Sequence, residues 1–157
     1  MAFARFLMLL SLIVWLGGVI FFPVVAQTAF AVLPTRHLAG NVVSRSLNSL
    51  HWIGLVSGLI FLASSILYAR ISSGSAHLFA ARHVLVCIML VLTAVSQFSV
   101  SPRMAALRAS MGEIDSVSLS DPARVQFDTL HAWSTRLEGG VLLLGLAVIY
   151  LTARPPN

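Results

Sequence analysis

Lysine is absent from the chain, and all of its long basic side chains are arginines, ten in number. Such a bias is what a GC-rich genome imposes, and it identifies no function. Charge of either sign is scarce: charged residues make up 10% of the sequence, against roughly a quarter in a soluble domain. That shortfall excludes an ordinary water-soluble fold. The net charge of +5 does not indicate nucleic acid as a partner, because the arginines are scattered singly around apolar runs and form no basic patch. They read as anchors at membrane edges. A single cysteine, Cys87, excludes a disulfide framework or thiolate cluster within one chain, and its apolar setting reads as inert packing. No phosphate-binding glycine loop, HExxH pair or nucleophile elbow occurs. No extramembrane stretch is long enough to fold into an enzyme domain, so the expected class is non-enzymatic.

What the chain does have is apolar length. Of its 157 residues 58% are hydrophobic, and the mean hydropathy is +0.92. A bilayer core takes about 20 apolar residues per helix, and four runs meet that need. They cover about 6–33, 50–69, 82–100 and 127–153, which gives an all-α integral membrane protein, a four-helix bundle in one domain over 1–157. The opening MAFARFLMLLSLIVWLGG resembles a signal peptide, but its apolar stretch exceeds a typical h-region and reads as a retained membrane helix. Pro23 predicts a bend in the first helix. PTRHLAGNVVSRSLNS reads as a loop or interfacial helix. SPRMAALRASMGEIDSVSLSDPARVQ reads as the longest extramembrane segment and carries most of the acids.

Four spans place both termini on one side, with Arg5, Arg70, Arg82 and Arg154. The other side holds Arg36, Arg45, Arg103, Arg108 and Arg124 on longer loops. The arginine count is near balance; the termini are assigned to the cytoplasmic face of a bacterial inner membrane. LNSLHWIGLVSGLIFLASSILYAR and FDTLHAWSTRLEGGVLLLGLAVIYLTAR align as a faint repeat, with His51 opposite His131. This suggests two repeated hairpins, beside the plainer reading that helix ends resemble one another.

The last span carries its own question. The charge-free stretch from Gly139 to Ala153 is fifteen residues, short of a span. To cross the core the helix must take in Glu138, and a carboxylate there needs a partner. Asp128, His131, Thr135 and Glu138 share one helical face. Arg136 points elsewhere and snorkels. Arg103, at the end of the third span on the same side, is the expected partner of Glu138. His51 starts the second span there, so the sequence predicts a polar cluster of His51, Arg103, Asp128, His131 and Glu138. It reads either as interfacial caps with one salt bridge, or as a ligand, ion or substrate site. His51 and His131, facing each other across the bundle, are the candidate ligands for haem or a transition metal such as copper. A single histidine can also hold chlorophyll. His83 and Cys87 lie at i and i+4 but make no complete site, and Thr93, Ser96 and Gln97 read as hydrogen-bonding between helices. Gly54 and Gly58 form a GxxxG, a contact within the bundle or with a second protomer. Trp15, Trp52 and Trp133 read as an aromatic belt.

WLGGVIFFPVVAQTAF, SPRMAALR and FDTLHAWSTRL together resemble the transmembrane protein 205-like family, also described as domain of unknown function 4149. Helix one is also similar to that of copper-resistance D-type proteins and of the membrane haem protein that oxidises protoporphyrinogen. The resemblance covers nearly the whole chain and implies a four-helix bundle with little chemistry; the family's animal member is associated with platinum-drug resistance and proposed export. It carries over onto Trp15, Gly17, Pro23, Pro102, Arg103, His131 and Ser134. Gly17, Gly54, Gly58 and Pro23 are then the expected helix-packing positions. No histidine precedes the helix-one tryptophan, a departure from the haem- and copper-linked relatives, and Glu138 stands where a neutral polar residue is expected.

The leading expectation is an accessory or scaffold subunit of a larger membrane assembly, contacting the lipid bilayer, other membrane subunits or a second copy of itself. One alternative is a transporter or permeation unit for a small cation or metal. The other is a haem-, copper- or pigment-binding subunit of an electron-transfer or photosynthetic complex.

Overall fold

The computed structural model describes residues 2–73 and 80–153; Arg154 and most of the connection between the second and third spans lie outside them. Every regular element among the described residues is helical. The order is α1 (Ala2–Val32), α2 (Arg36–Ser73), α3 (Ala81–Val95), a π-helical turn (Ser96–Val100), α4 (Ser101–Met111), a 3₁₀ turn (Ile114–Ser116) and α5 (Pro122–Ala153). α3, the π turn and α4 run on as one rod, so four helices are long and apolar enough to cross a membrane. The molecule is a four-helix integral membrane bundle. α1 packs chiefly along α2, and α3 along α5.

The helices are longer than the expected spans, and the reason lies at their caps. α2 begins at Arg36, not near residue 50: the Thr35 hydroxyl accepts from the Leu38 amide at 3.2 Å, satisfying a first-turn donor. The segment expected as a loop or interfacial helix is therefore the first turns of α2. At the start of α5, Asp121 Oδ1 accepts from the Ala123 amide at 2.8 Å, and Pro122 sits where its missing N–H costs nothing. At 1.5 Å per residue α2 is about 57 Å long against a hydrocarbon core of about 30 Å. α2, α4 and α5 therefore all project past the core on the face that holds the Val32–Arg36 and Met111–Pro122 connections. α1 continues as one helix through Pro23.

Trp15 is not part of an aromatic belt. It is 1% exposed and lies at the centre of the core with Phe61, Val86, Met89, Val141 and Val148. The indole fits only because α2 offers glycine: a Cβ on Gly54 would run into Trp15 Nε1, and one on Gly58 would lie 2.8 Å from the Trp15 ring and 2.6 Å from Leu90. The GxxxG thus serves contact within the bundle. Gly17, expected as a packing glycine, faces open space, and its neighbour Gly18 is the one pressed against Leu50. Ile13, Leu59, Val91 and Leu143 point outward, one per rod, as lipid-facing side chains should.

Gly54→Leu should therefore lower the melting temperature in detergent sharply, since overpacking costs about 1–3 kcal/mol or more. Gly17→Leu, with nothing within 4 Å of its Cβ, should leave it unchanged.

Candidate functional site

Glu138 finds its partner on α2 and not on α4. Its Oε1 lies 2.7 Å from His51 Nε2. His51 is 1% exposed and Glu138 16%, so the pair is shielded from water and bonded across two helices. The other imidazole nitrogen is engaged as well. Gln97 Nε2 donates to Asn48 Oδ1 at 2.6 Å, which turns Gln97 Oε1 towards His51 Nδ1 at 2.8 Å. Because that oxygen only accepts, Nδ1 carries a hydrogen. A single proton then lies between Nε2 and Glu138, whether the pair is imidazolium–carboxylate or imidazole–carboxylic acid. Gln97 comes from the π turn, whose extra residue per turn re-aims side chains.

Above this pair the projecting helices enclose a cavity of about 580 Å³, within the range of small-molecule sites. Its inner wall is apolar, with Val19 and Phe22 from α1, Leu50 from α2 and Leu142 from α5. Glu138 and Thr135 interrupt that wall, and Arg36, His37, Arg108, Arg124 and Asp128 gather further out. From Arg36 to Leu50 along α2 the lining extends on the order of 20 Å by helical rise.

The outer walls are tied by backbone carbonyls. Arg108 Nη1 donates to Gly40 O at 2.6 Å, and its guanidinium lies 5.4 Å from the Phe127 ring centroid. Phe127 in turn stacks on His131, with 6.4 Å between centroids and 3° between planes. Arg124 donates to Ile114 O at 2.6 Å and to Asp128 at 3.3 Å. His37 Nδ1 approaches Gly112 O at 3.1 Å, where a φ of +64° lets glycine turn the chain at the end of α4.

The expected cluster is thus partly dispersed. Asp128, His131, Thr135 and Glu138 all line the cavity. Arg103 is exposed on α4 and makes no ion pair among the described residues; a side chain at that rim reaches water more cheaply than a buried carboxylate. His51 and His131 do not face each other: His51 is enclosed, while His131 is exposed and stacked on Phe127. With both nitrogens of His51 bonded, the two histidines do not form a bis-histidine axial set for haem. Among the described residues no three His, Cys, Asp or Glu side chains are grouped to hold a metal ion. Cys87 faces outward and is not buried packing. Arg136 lies over Trp133, 5.4 Å from its centroid.

Arg36, His37, Arg108 and Arg124 are site residues that sequence reasoning does not single out. The signal for the first two was the Thr35 cap, followed by a stretch with no proline up to Leu50. Continuing the helix through that stretch brings them over the same face as Glu138.

A second polar contact sits towards the opposite face, where Ser65 Oγ and His83 Nε2 are 2.7 Å apart. Between the two lies the layer of Trp15, Phe61, Val86 and Met89, all 1% exposed or less.

The described residues form a small four-helix membrane bundle with a cavity of about 580 Å³ towards one end. The chain belongs to the family described as Domain of unknown function (DUF4149), whose model matches residues 10–113. That match takes in most of α1 and all of α2, α3 and α4, including His51, Gln97 and Arg108, and leaves α5 with Glu138 outside it. No curated protein and no solved structure matches the chain.

Removing one member of the buried pair strands the other. Glu138→Leu should cost about 3 kcal/mol or more, and His51→Leu with Glu138→Leu should recover much of that, because replacing a buried pair by apolar groups is often near neutral. Arg103→Gln should leave stability unchanged. Thermal melts of the four proteins in one detergent measure this cycle.

Proposed function

We propose that the protein is a non-enzymatic membrane component that holds an amphiphilic small molecule in the chamber beside Glu138. The observation that carries this reading is the cavity itself, about 580 Å³ with apolar inner walls and a polar outer end. It lies where the helices leave the hydrocarbon core, the depth at which amphiphiles partition. An apolar body would rest against Phe22 and Leu142, and a polar end would meet the arginines.

The apolar layer of Trp15, Phe61, Val86 and Met89 favours loading from one face over permeation of a cation or metal through a single bundle. The likeness to transmembrane protein 205-like proteins fits a role in handling small molecules. Within a larger assembly such a protein would act as an accessory subunit, offering the outward apolar faces of its helices to lipid or partner helices. If the termini lie in the cytoplasm of a bacterial cell, the chamber opens on the outer side of the inner membrane.

Gly139 lines the cavity, and nothing lies within 4 Å of its Cβ direction, so a larger residue there fills the chamber without clashing with the bundle. Native mass spectrometry of protein released from mixed-lipid nanodiscs should find one retained amphiphile per wild-type chain. Gly139→Leu and Thr135→Trp should lose it while melting as wild type. Equal retention in all three would sink the proposal.

A further inference from the structure

We propose that the chamber is selective for a single-chain amphiphile with an anionic headgroup, a phosphate or carboxylate, received by Arg108 and Arg124. This rests on the reading of the cavity as a ligand site and adds the charge and shape of what enters.

The argument begins with charge. Seven ionisable side chains line the cavity: Arg36, Arg108, Arg124, His37, His131, Asp128 and Glu138. Glu138 is already matched by His51 at 2.7 Å, and together they hold one proton. Asp128 lies against Arg124. The guanidiniums of Arg108 and Arg124 then face one remaining carboxylate of the lining.

Arg108 is the clearest case. It is partly buried, it contributes to the cavity wall, and no carboxylate pairs with it among the described residues. Its partners are a backbone carbonyl and the face of Phe127. One N–H of its five is used on Gly40, and the planar fork suits two oxygens of a phosphate or carboxylate. Arg124 spends Nε on Asp128 and Nη1 on Ile114, and it keeps further donors. The first turn of α2, where Arg36 and His37 line the cavity, adds the positive end of a long helix dipole. A cationic headgroup would meet the same arginines with repulsion.

Shape supplies the second half. The apolar wall of Val19, Phe22, Leu50 and Leu142 lies inward of the arginines along α2 and α5. A ligand that satisfies both ends carries a tail continuous with its charge. A lining on the order of 20 Å long by helical rise suits one hydrocarbon chain with its headgroup.

The test uses the full chain in phosphatidylcholine nanodiscs, with Gly139→Leu nanodiscs as the background for partitioning. Labelled dodecyl phosphate is the probe. Dodecanoate, dodecylphosphocholine, dodecyltrimethylammonium and inorganic phosphate are the competitors. The expected result is saturable binding of one dodecyl phosphate per chain, displaced by dodecanoate, with the phosphocholine at least about tenfold weaker, as loss of a charge-assisted contact implies. Arg108→Gln should weaken the anionic probes and should not weaken dodecyltrimethylammonium. Arg124→Gln repeats that comparison at a second site should Arg108→Gln disturb the bundle, which melting reveals. Dodecyltrimethylammonium or dodecylphosphocholine displacing as well as dodecanoate would overturn the anionic selectivity and leave the chamber standing. Inorganic phosphate displacing as well as dodecanoate would mean that the tail plays no part and that the site takes a free anion. Absence of saturable binding by every amphiphile would remove the chamber reading together with this one.

Discussion

The His51–Glu138 contact constrains everything around it. An ionisable pair inside an apolar bundle is tolerated only when each remaining polar atom is bonded. Here that condition enlists Gln97 and, behind it, Asn48. Three rods are thereby locked at one depth: α2 through His51, the third rod through its π turn, and α5 through Glu138. The π turn is the backbone's share of the arrangement, since a regular helix would present a different side chain at that point. With the rods fixed there, their extensions beyond the hydrocarbon core stand apart by the width of the cavity.

The two ends of the bundle are built on opposite principles. Towards the middle, Trp15 is driven into the glycines of α2, and the helices meet through close side-chain packing. Towards the open end, contacts between helices are made by arginines reaching backbone carbonyls, Arg108 to Gly40 and Arg124 to Ile114. Such contacts hold walls in place without filling the space between them. The chamber follows from that change from side-chain packing to long polar struts.

Much of the site was legible in the sequence, and what was not has identifiable causes. Fifteen uncharged residues after Glu138 were enough to show that this carboxylate lies inside and needs a partner. The period of α5 was enough to put Asp128, His131, Thr135 and Glu138 on one wall. The choice of Arg103 as partner failed because sequence gives only the side of the membrane and not the azimuth of a helix. Arg103 and His51 were equally near in depth, and only one faced α5. Gly17 and Gly18 are neighbours 100° apart on α1, and no pattern told which one looked inward. Trp15 was read as a belt residue from its place in the chain, although a tryptophan opposite a GxxxG is better housed in the core.

By itself, then, the sequence determined the solvent and the architecture. Too few charges and four apolar runs leave a lipid-embedded bundle of four helices, because every backbone polar group in the hydrocarbon must be satisfied within its own helix. It also determined that a carboxylate would be buried near one face. Only the tertiary structure decided which side chain met it, that α2 continued fourteen residues beyond its apolar run from Arg36 to Leu50, and that the projecting ends enclosed a chamber. Those outcomes depend on the rotation of each helix about its axis and on a local π turn. Both are set by the packing of Trp15 and the pairing of His51, which are contacts between residues far apart in the chain.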